Sequence, residues 1–162
     1  MKTVKRIIDV FSTVAIVLLV VTVLALQGTR LFGIRAYAVL SGSMEPKYHT
    51  GSVVYVKKVA PESIKKGDVI TFLMNGSTTV THRVVEVDSE NKKFVTRGDA
   101  NNTNDSPVDF SSVYGKVVYT VPYLGFVAVW ISTTAGKIVL AAVFVILILL
   151  VTLSELLMKK TA

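Results

Sequence analysis

Cysteine is absent from this 162-residue chain, and histidine occurs only twice. The lack of cysteine excludes disulfide frameworks, iron–sulfur clusters, cysteine-ligated zinc and thiol nucleophiles. Charged residues are also scarce at 18%, whereas 51% of the residues are hydrophobic, so intrinsic disorder is excluded. The length suggests one domain. The mean hydropathy of +0.57 is nevertheless too high for an ordinary soluble domain of that size.

The net charge of +7 is divided along the chain. Residues 1–29 and 137–162 carry a net charge of +2 each, and residues 30–136 carry +3. More than half of the excess therefore flanks the two long apolar runs, where positive charge is expected beside anionic lipid headgroups. The middle part has no basic stripe interleaved with aromatic residues, so we expect no nucleic-acid partner.

An apolar run near each end has the length of a membrane span. Residues 7–26 would cover about 30 Å as a helix, which matches the hydrocarbon core of a bilayer. Asp9 of this run lies in the first turn, where its carboxylate can reach the interface. Residues 138–157 are mostly aliphatic, and the lack of a polar face favours lipid over a buried core helix. Four residues that flank this second run are predicted as interfacial anchors: Trp130, Lys137, Lys159 and Lys160.

A cleavable signal peptide is the alternative interpretation of the first run. The small-residue pattern Ala36-Tyr37-Ala38 has the form of a cleavage site, but it lies about ten residues beyond the run. We therefore predict an uncleaved anchor. The Lys and Arg counts then favour two cytoplasmic tails, residues 1–6 and 158–162. The transmembrane helices 7–26 and 138–157 would enclose an extracytoplasmic domain of residues 27–137.

The segment between the two runs is predicted to be mainly β. Five short stretches rich in Val, Ile, Thr and Tyr are candidate strands: residues 52–59, 68–73, 78–87, 93–96 and 113–121. Asn75-Gly76 predicts a two-residue hairpin turn, because both residues tolerate a positive φ. A second hairpin is expected at residues 88–91, and another turn at Lys66-Gly67-Asp68.

The sequence Ser41-Gly42-Ser43-Met44-Glu45-Pro46 is the first candidate for chemistry. A nucleophilic serine must be exposed at a tight bend with amide N–H groups nearby to bind an oxyanion. Gly42 permits such a bend, and Pro46 prevents a regular strand from continuing. The alternative is that Ser-Gly-Ser is ordinary loop sequence.

His82 lies inside a β-like run, where a rigid strand could aim its imidazole. Histidine acts as a general base near neutral pH. The alternative is a half-exposed strand histidine beside Arg83. The other histidine, His49, lies in a turn-like segment and is expected to be a surface residue.

Three carboxylates follow within eleven residues, at Asp99, Asp105 and Asp109. One of them could accept the imidazole N–H of a catalytic histidine and fix its tautomer. A calcium-binding loop is a second interpretation, since hard oxygen ligands alternate there, but the spacing and the terminal glutamate of an EF-hand are missing. A solvated turn is the third.

Taken together, the segments resemble one family. Ser-Gly-Ser-Met-Glu-Pro at 41–46, Thr-His-Arg-Val at 81–84 and Gly-Asp-Ala-Asn-Asn at 98–102, with an aspartate downstream, are similar to the motifs of membrane-bound type I signal peptidases. They resemble the endoplasmic-reticulum-type branch, which also occurs in archaea and some Gram-positive bacteria. The bacterial-type branch uses a Ser-Lys dyad, and here His82 stands at the position of that lysine. The resemblance covers residues 37–125.

The resemblance implies a role for each matching residue. Ser43 would be the acylated nucleophile and His82 its general base. Ser41 matches the position whose hydroxyl supplements the Ser43 backbone N–H in the oxyanion hole. Asp105 matches the triad acid of the branch, and Asp99 would be a supporting carboxylate that holds the loop.

The choice between the two aspartates stays open at this point. Ala100 is one residue more than the commonest form of the motif has before its Asn-Asn pair, so Asp99 remains the alternative to Asp105 as the triad acid. Asp109 is the third candidate.

The resemblance also implies a signal-peptidase-like β fold with one transmembrane helix at each end, in the cell membrane. The expected activity is that of a serine endopeptidase that removes signal peptides from secreted preproteins. Its substrate would lie extended along Tyr37, Ala38, Val39 and Leu40. Expected partners are the signal peptides, the lipid bilayer and the protein-export translocon, and neither a cofactor nor a metal is expected. The alternatives are a specialised processor of a few exported substrates and a non-catalytic membrane-anchored β module that binds a partner.

Overall fold

A computed structural model describes residues 2–159 of the chain, which divide into two compact units. One unit consists of residues 29–129, and the other contains the described residues up to 28 together with those from 130 onward. Two of the predicted interfacial anchors, Lys160 and the side chain of Lys159, lie outside the described part, as does most of the predicted tail 158–162.

The unit of residues 29–129 is built on a seven-stranded sheet. Its strands are β1 (Ile34–Ala38), β2 (Val53–Lys57), β3 (Val69–Met74), β4 (Thr78–Asp88), β5 (Lys93–Arg97), β6 (Val108–Asp109) and β7 (Val113–Val121). The strand order is β1-β2-β7-β3-β4-β5-β6, and every neighbouring pair is antiparallel. Three short 3₁₀ helices accompany them, at Gly28–Phe32, Pro61–Ser63 and Phe110–Ser112. The mainly β fold class is confirmed.

The five predicted strands form, and two further strands appear that the sequence pattern did not predict. β1 includes Arg35 and two alanines, a composition without strong strand preference. It forms because it pairs along its whole length with β2, from Ile34 opposite Lys57 to Ala38 opposite Val53. β6 has only two residues. In the sheet order β1 and β6 are the two edge strands.

The β3–β4 hairpin forms at Asn75-Gly76, but with a longer loop than predicted. Met74 pairs with Thr78, so three residues rather than two connect the strands. Asn75 and Gly76 have φ angles of +50° and +70°, and Ser77 N donates to Met74 O at 3.2 Å. The third loop residue therefore closes the turn with a hydrogen bond of its own.

Two hydrophobic clusters hold this unit together. The larger joins β3, β4, β5 and the segment around β6, and consists of Ile64, Ile70, Phe72, Val84, Phe94, Val108 and Phe110. The smaller consists of Met44, Val54, Val56, Val69 and Val117. Met44 immediately follows Ser43, so the smaller cluster fixes the backbone next to the candidate nucleophile.

The second unit contains two long apolar helices, α1 (Lys2–Gln27) and α3 (Thr134–Lys159), which pack on each other. In the chain, α3 is preceded by the short helix α2 (Leu124–Ser132). Segments 3–32 and 134–153 are long and apolar enough to cross a bilayer, and few of their residues are buried by protein. This is compatible with a membrane-anchored protein.

Two threonine side chains in these helices bond within their own helix. Thr22 Oγ1 donates to Leu18 O at 2.8 Å, and Thr152 Oγ1 donates to Ile148 O at 3.0 Å. Such bonds satisfy a hydroxyl group where water is absent.

Candidate active site

Ser43 lies in a compact turn that follows β1. Glu45 N donates to Gly42 O at 3.0 Å, and Tyr48 N donates to Met44 O at 2.9 Å. The Met44 side chain is buried, so the residue after Ser43 is anchored in the core. The Ser43 side chain therefore projects from a fixed backbone.

His82 lies on β4, opposite Ile70 of β3. Because side chains alternate along a strand, His82 shares its face with Val84, a residue of the larger cluster. The imidazole packs against the ring of Phe72 in an edge arrangement, with centroids 6.5 Å apart. His82 is only 6% exposed, so its ring has little freedom to turn.

Asp105 lies in the loop after β5, which is bonded back onto that strand. Asp105 N donates to Thr96 O at 2.8 Å, and Thr96 Oγ1 donates to Asp105 Oδ2 at 2.7 Å. The same Oδ2 atom lies 2.6 Å from His82 Nδ1. Sequence reasoning missed Thr96. The sequence pattern could have indicated Thr96, because side chains alternate along a strand and Thr96 therefore shares the core face of β5 with Phe94.

The hydrogen-bonded chain ends at Ser43, whose Oγ lies 3.1 Å from His82 Nε2. Three residues that are far apart in sequence thus form one continuous arrangement. An ionised carboxylate can only accept, so the Asp105 contact assigns the proton to Nδ1 and leaves the Nε2 lone pair for the serine hydroxyl. This arrangement can take a proton from Ser43.

The resemblance implies that Ser41 contributes a hydroxyl group to the oxyanion hole. Its Oγ lies 3.3 Å from Ser43 Oγ. Two hydroxyl groups therefore meet at the exposed side of the turn, where a substrate carbonyl could approach.

Asp99 binds a different partner from Asp105. Arg83 Nε donates to Asp99 Oδ1 at 2.7 Å, and Arg83 Nη2 donates to Oδ2 at 2.6 Å. Arg83 Nη1 also donates to Gly67 O at 2.8 Å. The hydrogen bond with Asp99 raises the pKa of Arg83, so this guanidinium stays charged. The next residue in the loop, Ala100, donates its N–H to Ser43 O at 2.9 Å. The loop of Asp99 and Ala100 is thus bonded both to Arg83 and to the Ser43 backbone.

The model of one protein family matches residues 9–97, more than half of the chain, and its description is signal peptidase, peptidase S26. The chain belongs to this family. It is 36% identical over 133 residues to signal peptidase I W of Bacillus subtilis (strain 168), covering 75% of this chain and 67% of that protein.

The chain is also similar to catalytic subunits of the eukaryotic signal peptidase complex. The chain is 31% identical over 103 residues to the human signal peptidase complex catalytic subunit SEC11C, covering 56% of this chain and 54% of the subunit. It is 33% identical over 106 residues to the subunit SEC11 of Plasmodium falciparum (isolate 3D7), covering 58% of this chain and 56% of that subunit. The chain therefore spans about half the length of these relatives. The resemblance to type I signal peptidases is confirmed, and the chain is a serine peptidase of this signal peptidase family.

A groove of about 400 Å³ leads to Ser43 and His82 in this signal peptidase. Three of the four predicted substrate-binding residues line it: Ala38, Val39 and Leu40. Tyr37 does not line the groove. Its ring stacks on Tyr114 at a centroid distance of 6.1 Å, because alternation along β1 turns it away from Ala38. Substrate binding at Tyr37 stays a prediction.

The remaining candidates lie apart from the groove. Asp109 is exposed, and its carboxylate lies 3.8 Å from Lys93 Nζ. Asp99, Asp105 and Asp109 thus contact three different partners, and within residues 2–159 no three His, Asp or Glu side chains are grouped as metal ligands. The calcium-loop interpretation has no support in this geometry. His49 is a surface residue that pairs with Glu45.

Proposed function

We propose that the chain removes signal peptides from secreted preproteins, with Ser43 as the nucleophile. The observation that supports this is the pair of hydrogen bonds from Ser43 Oγ through the His82 imidazole to the Asp105 carboxylate. Family membership supports the class of reaction, and the hydrogen bonds support the assignment of roles.

In the acylation step Ser43 Oγ attacks the carbonyl carbon of the scissile bond while its proton passes to His82 Nε2. The imidazolium that forms is stabilised by Asp105, which accepts from Nδ1. When the tetrahedral intermediate collapses, the C–N bond breaks and Nε2–H gives its proton to the leaving amine. The mature protein leaves, and the signal peptide remains as an ester on Ser43.

The negative charge on the substrate oxygen needs donors while the intermediate exists. We assign these donors to the Ser43 backbone N–H and the Ser41 hydroxyl, which lies beside Ser43 Oγ. Ala100 N–H already bonds Ser43 O, which keeps this peptide segment oriented before substrate arrives. Preorganised donors of this kind lower the barrier because they need not reorient during the reaction.

Deacylation uses the same residues, with water as the nucleophile and Ser43 Oγ as the leaving group. A water molecule gives its proton to His82 Nε2 and attacks the ester carbon. The proton then returns to Ser43 Oγ as the C–O bond breaks, so the signal peptide leaves as a carboxylic acid and the enzyme is regenerated.

The substrate would bind as an extended strand beside β1. The backbone N–H and C=O of Val39 point towards the β2 side of β1. Val39 N donates to Ser52 O and Gly51 N donates to Val39 O, both at 2.8 Å. Successive residues of an antiparallel strand turn their backbone groups to opposite sides, so those of Ala38 point away from β2. Ala38 also lines the groove. A peptide added at this edge could use these groups and reach Ser43.

Membrane anchoring by α1 and α3 fits this substrate. A signal peptide is itself apolar and lies in lipid, so a protease held at the same membrane meets it at a raised effective concentration. We propose a two-pass protein of the cell membrane with residues 27–137 outside and both tails in the cytoplasm. The protein-export translocon would be its neighbour, because it delivers the preproteins.

Cleavage of a preprotein by the full chain in detergent or liposomes tests the proposal. Ser43→Ala and His82→Ala should each lower product formation by about 10⁴-fold or more. Ser89→Ala is the matched control, since Ser89 is an exposed serine of the β4–β5 hairpin. Unchanged turnover by Ser43→Ala would exclude the mechanism.

A further inference from the structure

The unit of residues 29–129 contains a second and larger cavity, of about 940 Å³. It shares no lining residue with the groove at Ser43, and the mechanism above makes no use of it. Three cationic side chains line it: Arg30, Arg35 and Lys58. A concentration of positive charge in one concave surface marks an anion site when nothing in the protein neutralises it.

The backbone brings the three cations together through Gly33. Gly33 N donates to Arg30 O at 3.1 Å, and Lys58 N donates to Gly33 O at 3.4 Å. Gly33 has a φ of +70°, a conformation that lets the chain turn sharply from the 3₁₀ helix into β1. Arg35 follows two residues later on β1. The convergence is therefore fixed by the fold and does not depend on flexible side chains alone.

The charge of this cavity is not balanced by the protein. Within residues 2–159, no carboxylate forms an ion pair with Arg30, Arg35 or Lys58, and no acidic residue lines the cavity. The neighbouring cation Lys116 differs, because its Nζ lies 2.6 Å from Asp68 Oδ1. In the described part of the chain, all three lining cations therefore lack a carboxylate partner and can bind an external anion.

Neutral donors complete the wall. The stacked rings of Tyr37 and Tyr114 and the side chain of Ser111 line the cavity beside the cations. Gly115 keeps the Tyr114 segment close to Lys58, since a Cβ at Gly115 would clash with Lys57 O. Hydroxyl groups and guanidinium groups together are the donors that suit phosphate oxygens, and arginine can bind phosphate in a bidentate manner.

We infer that this cavity binds the phosphate of an anionic phospholipid headgroup. Arg30 lies three residues after the end of α1 at Gln27, in the last residues of the apolar segment 3–32, so the site includes the end of a candidate membrane span. Its neighbours Leu31 and Phe32 are 87% and 77% exposed, as expected for side chains that enter lipid rather than water. The inference adds a lipid ligand to the proposed protease and does not depend on its catalytic activity.

The test measures lipid retention by the full chain. Protein in a neutral detergent is mixed with equal amounts of phosphatidylglycerol and phosphatidylcholine, and bound lipid is counted by native mass spectrometry. The variant Arg30→Gln/Arg35→Gln/Lys58→Gln should bind phosphatidylglycerol at least about tenfold more weakly than the unchanged chain. The matched control Lys65→Gln/Lys66→Gln/Lys92→Gln removes the same charge from exposed lysines outside the cavity and should change binding by less than about twofold.

Two outcomes would contradict the inference. An equal loss in both triple variants would mean that the lipid responds to net charge only. Inorganic phosphate that displaces phosphatidylglycerol at equal concentration would identify a site for the free anion rather than for lipid. If the first variant fails to fold, as judged by circular dichroism, the single variants Arg35→Gln and Lys58→Gln should each weaken binding about threefold or more. Ser43→Ala should retain the lipid, which separates this result from failure of the protease mechanism.

Discussion

His82 Nδ1 lies 2.6 Å from Asp105 Oδ2, and the two side chains are only 8% and 12% exposed. Shielding from water strengthens this contact and holds the imidazole in one orientation. Asp99, which is six residues earlier in the chain, is occupied by Arg83. The two aspartates are therefore not interchangeable, and their variants should behave differently.

Asp105→Asn should lower kcat by about 10³–10⁴-fold, because an amide can present its N–H to Nδ1 and favour the wrong tautomer. Asp99→Asn should lower kcat less and should mainly destabilise the loop that contacts Ser43. Steady-state cleavage of a preprotein peptide compares the two. A larger loss with Asp99→Asn would contradict the assignment of the triad acid but not the role of Ser43.

Thr96→Val should lower kcat by about tenfold and change KM little. The substitution keeps the shape of a fully buried side chain but removes the hydroxyl that donates to Asp105 Oδ2. Thr96 is a positioning residue, so the pH profile of kcat/KM should shift as well, and Thr96→Ser should restore most of the activity. A variant that lost stability with an unchanged pH profile would show a structural role only.

Ser41→Ala should lower kcat by about 10²-fold with little effect on KM, because the Ser41 hydroxyl is expected to donate to the oxyanion rather than to the bound substrate. Ser41→Thr keeps a hydroxyl and serves as the control. Equal activity of the alanine and threonine variants would assign the whole oxyanion hole to backbone N–H groups.

Asp68→Asn should lower the free energy of unfolding by about 1 kcal/mol at pH 7. Burial raises the pKa of Asp68, but hydrogen bonds from Lys116 and from the Lys65 N–H outweigh it and hold the pKa below 3.8. A carboxylate whose folded pKa is lowered adds stability above its unfolded pKa, and that stability is lost as the pH falls through the folded pKa.

Thermal unfolding in detergent at pH 7 and at pH 3 measures this effect. The difference between Asp68→Asn and the unchanged chain should be smaller at pH 3. Asp109→Asn is the control, since Asp109 is 62% exposed and its surface pair should contribute little at either pH. A difference for Asp68→Asn that stays constant with pH would contradict the lowered pKa.

The local sequence pattern predicted much of the fold. The β-branched runs predicted β2, β3, β4, β5 and β7 within a few residues, because strands buried on one face need such side chains. β1 escaped prediction because its pairing with β2 supplies the stability that Arg35 and its neighbouring alanines lack. The Asn75-Gly76 turn was found, but its third residue depends on the register between Met74 and Thr78.

The sequence by itself determined the family, the two apolar helices and the order of the three motifs, since these depend on residue type and spacing along the chain. Only the tertiary structure decided which carboxylate lies beside His82. Both aspartates are in an irregular loop, and its path is set by bonds to distant residues, from Asp105 to Thr96 and from Asp99 to Arg83. The cavity of Arg30, Arg35 and Lys58 likewise depends on strand pairing, because only the pairing of β1 with β2 brings Lys58 to the two arginines.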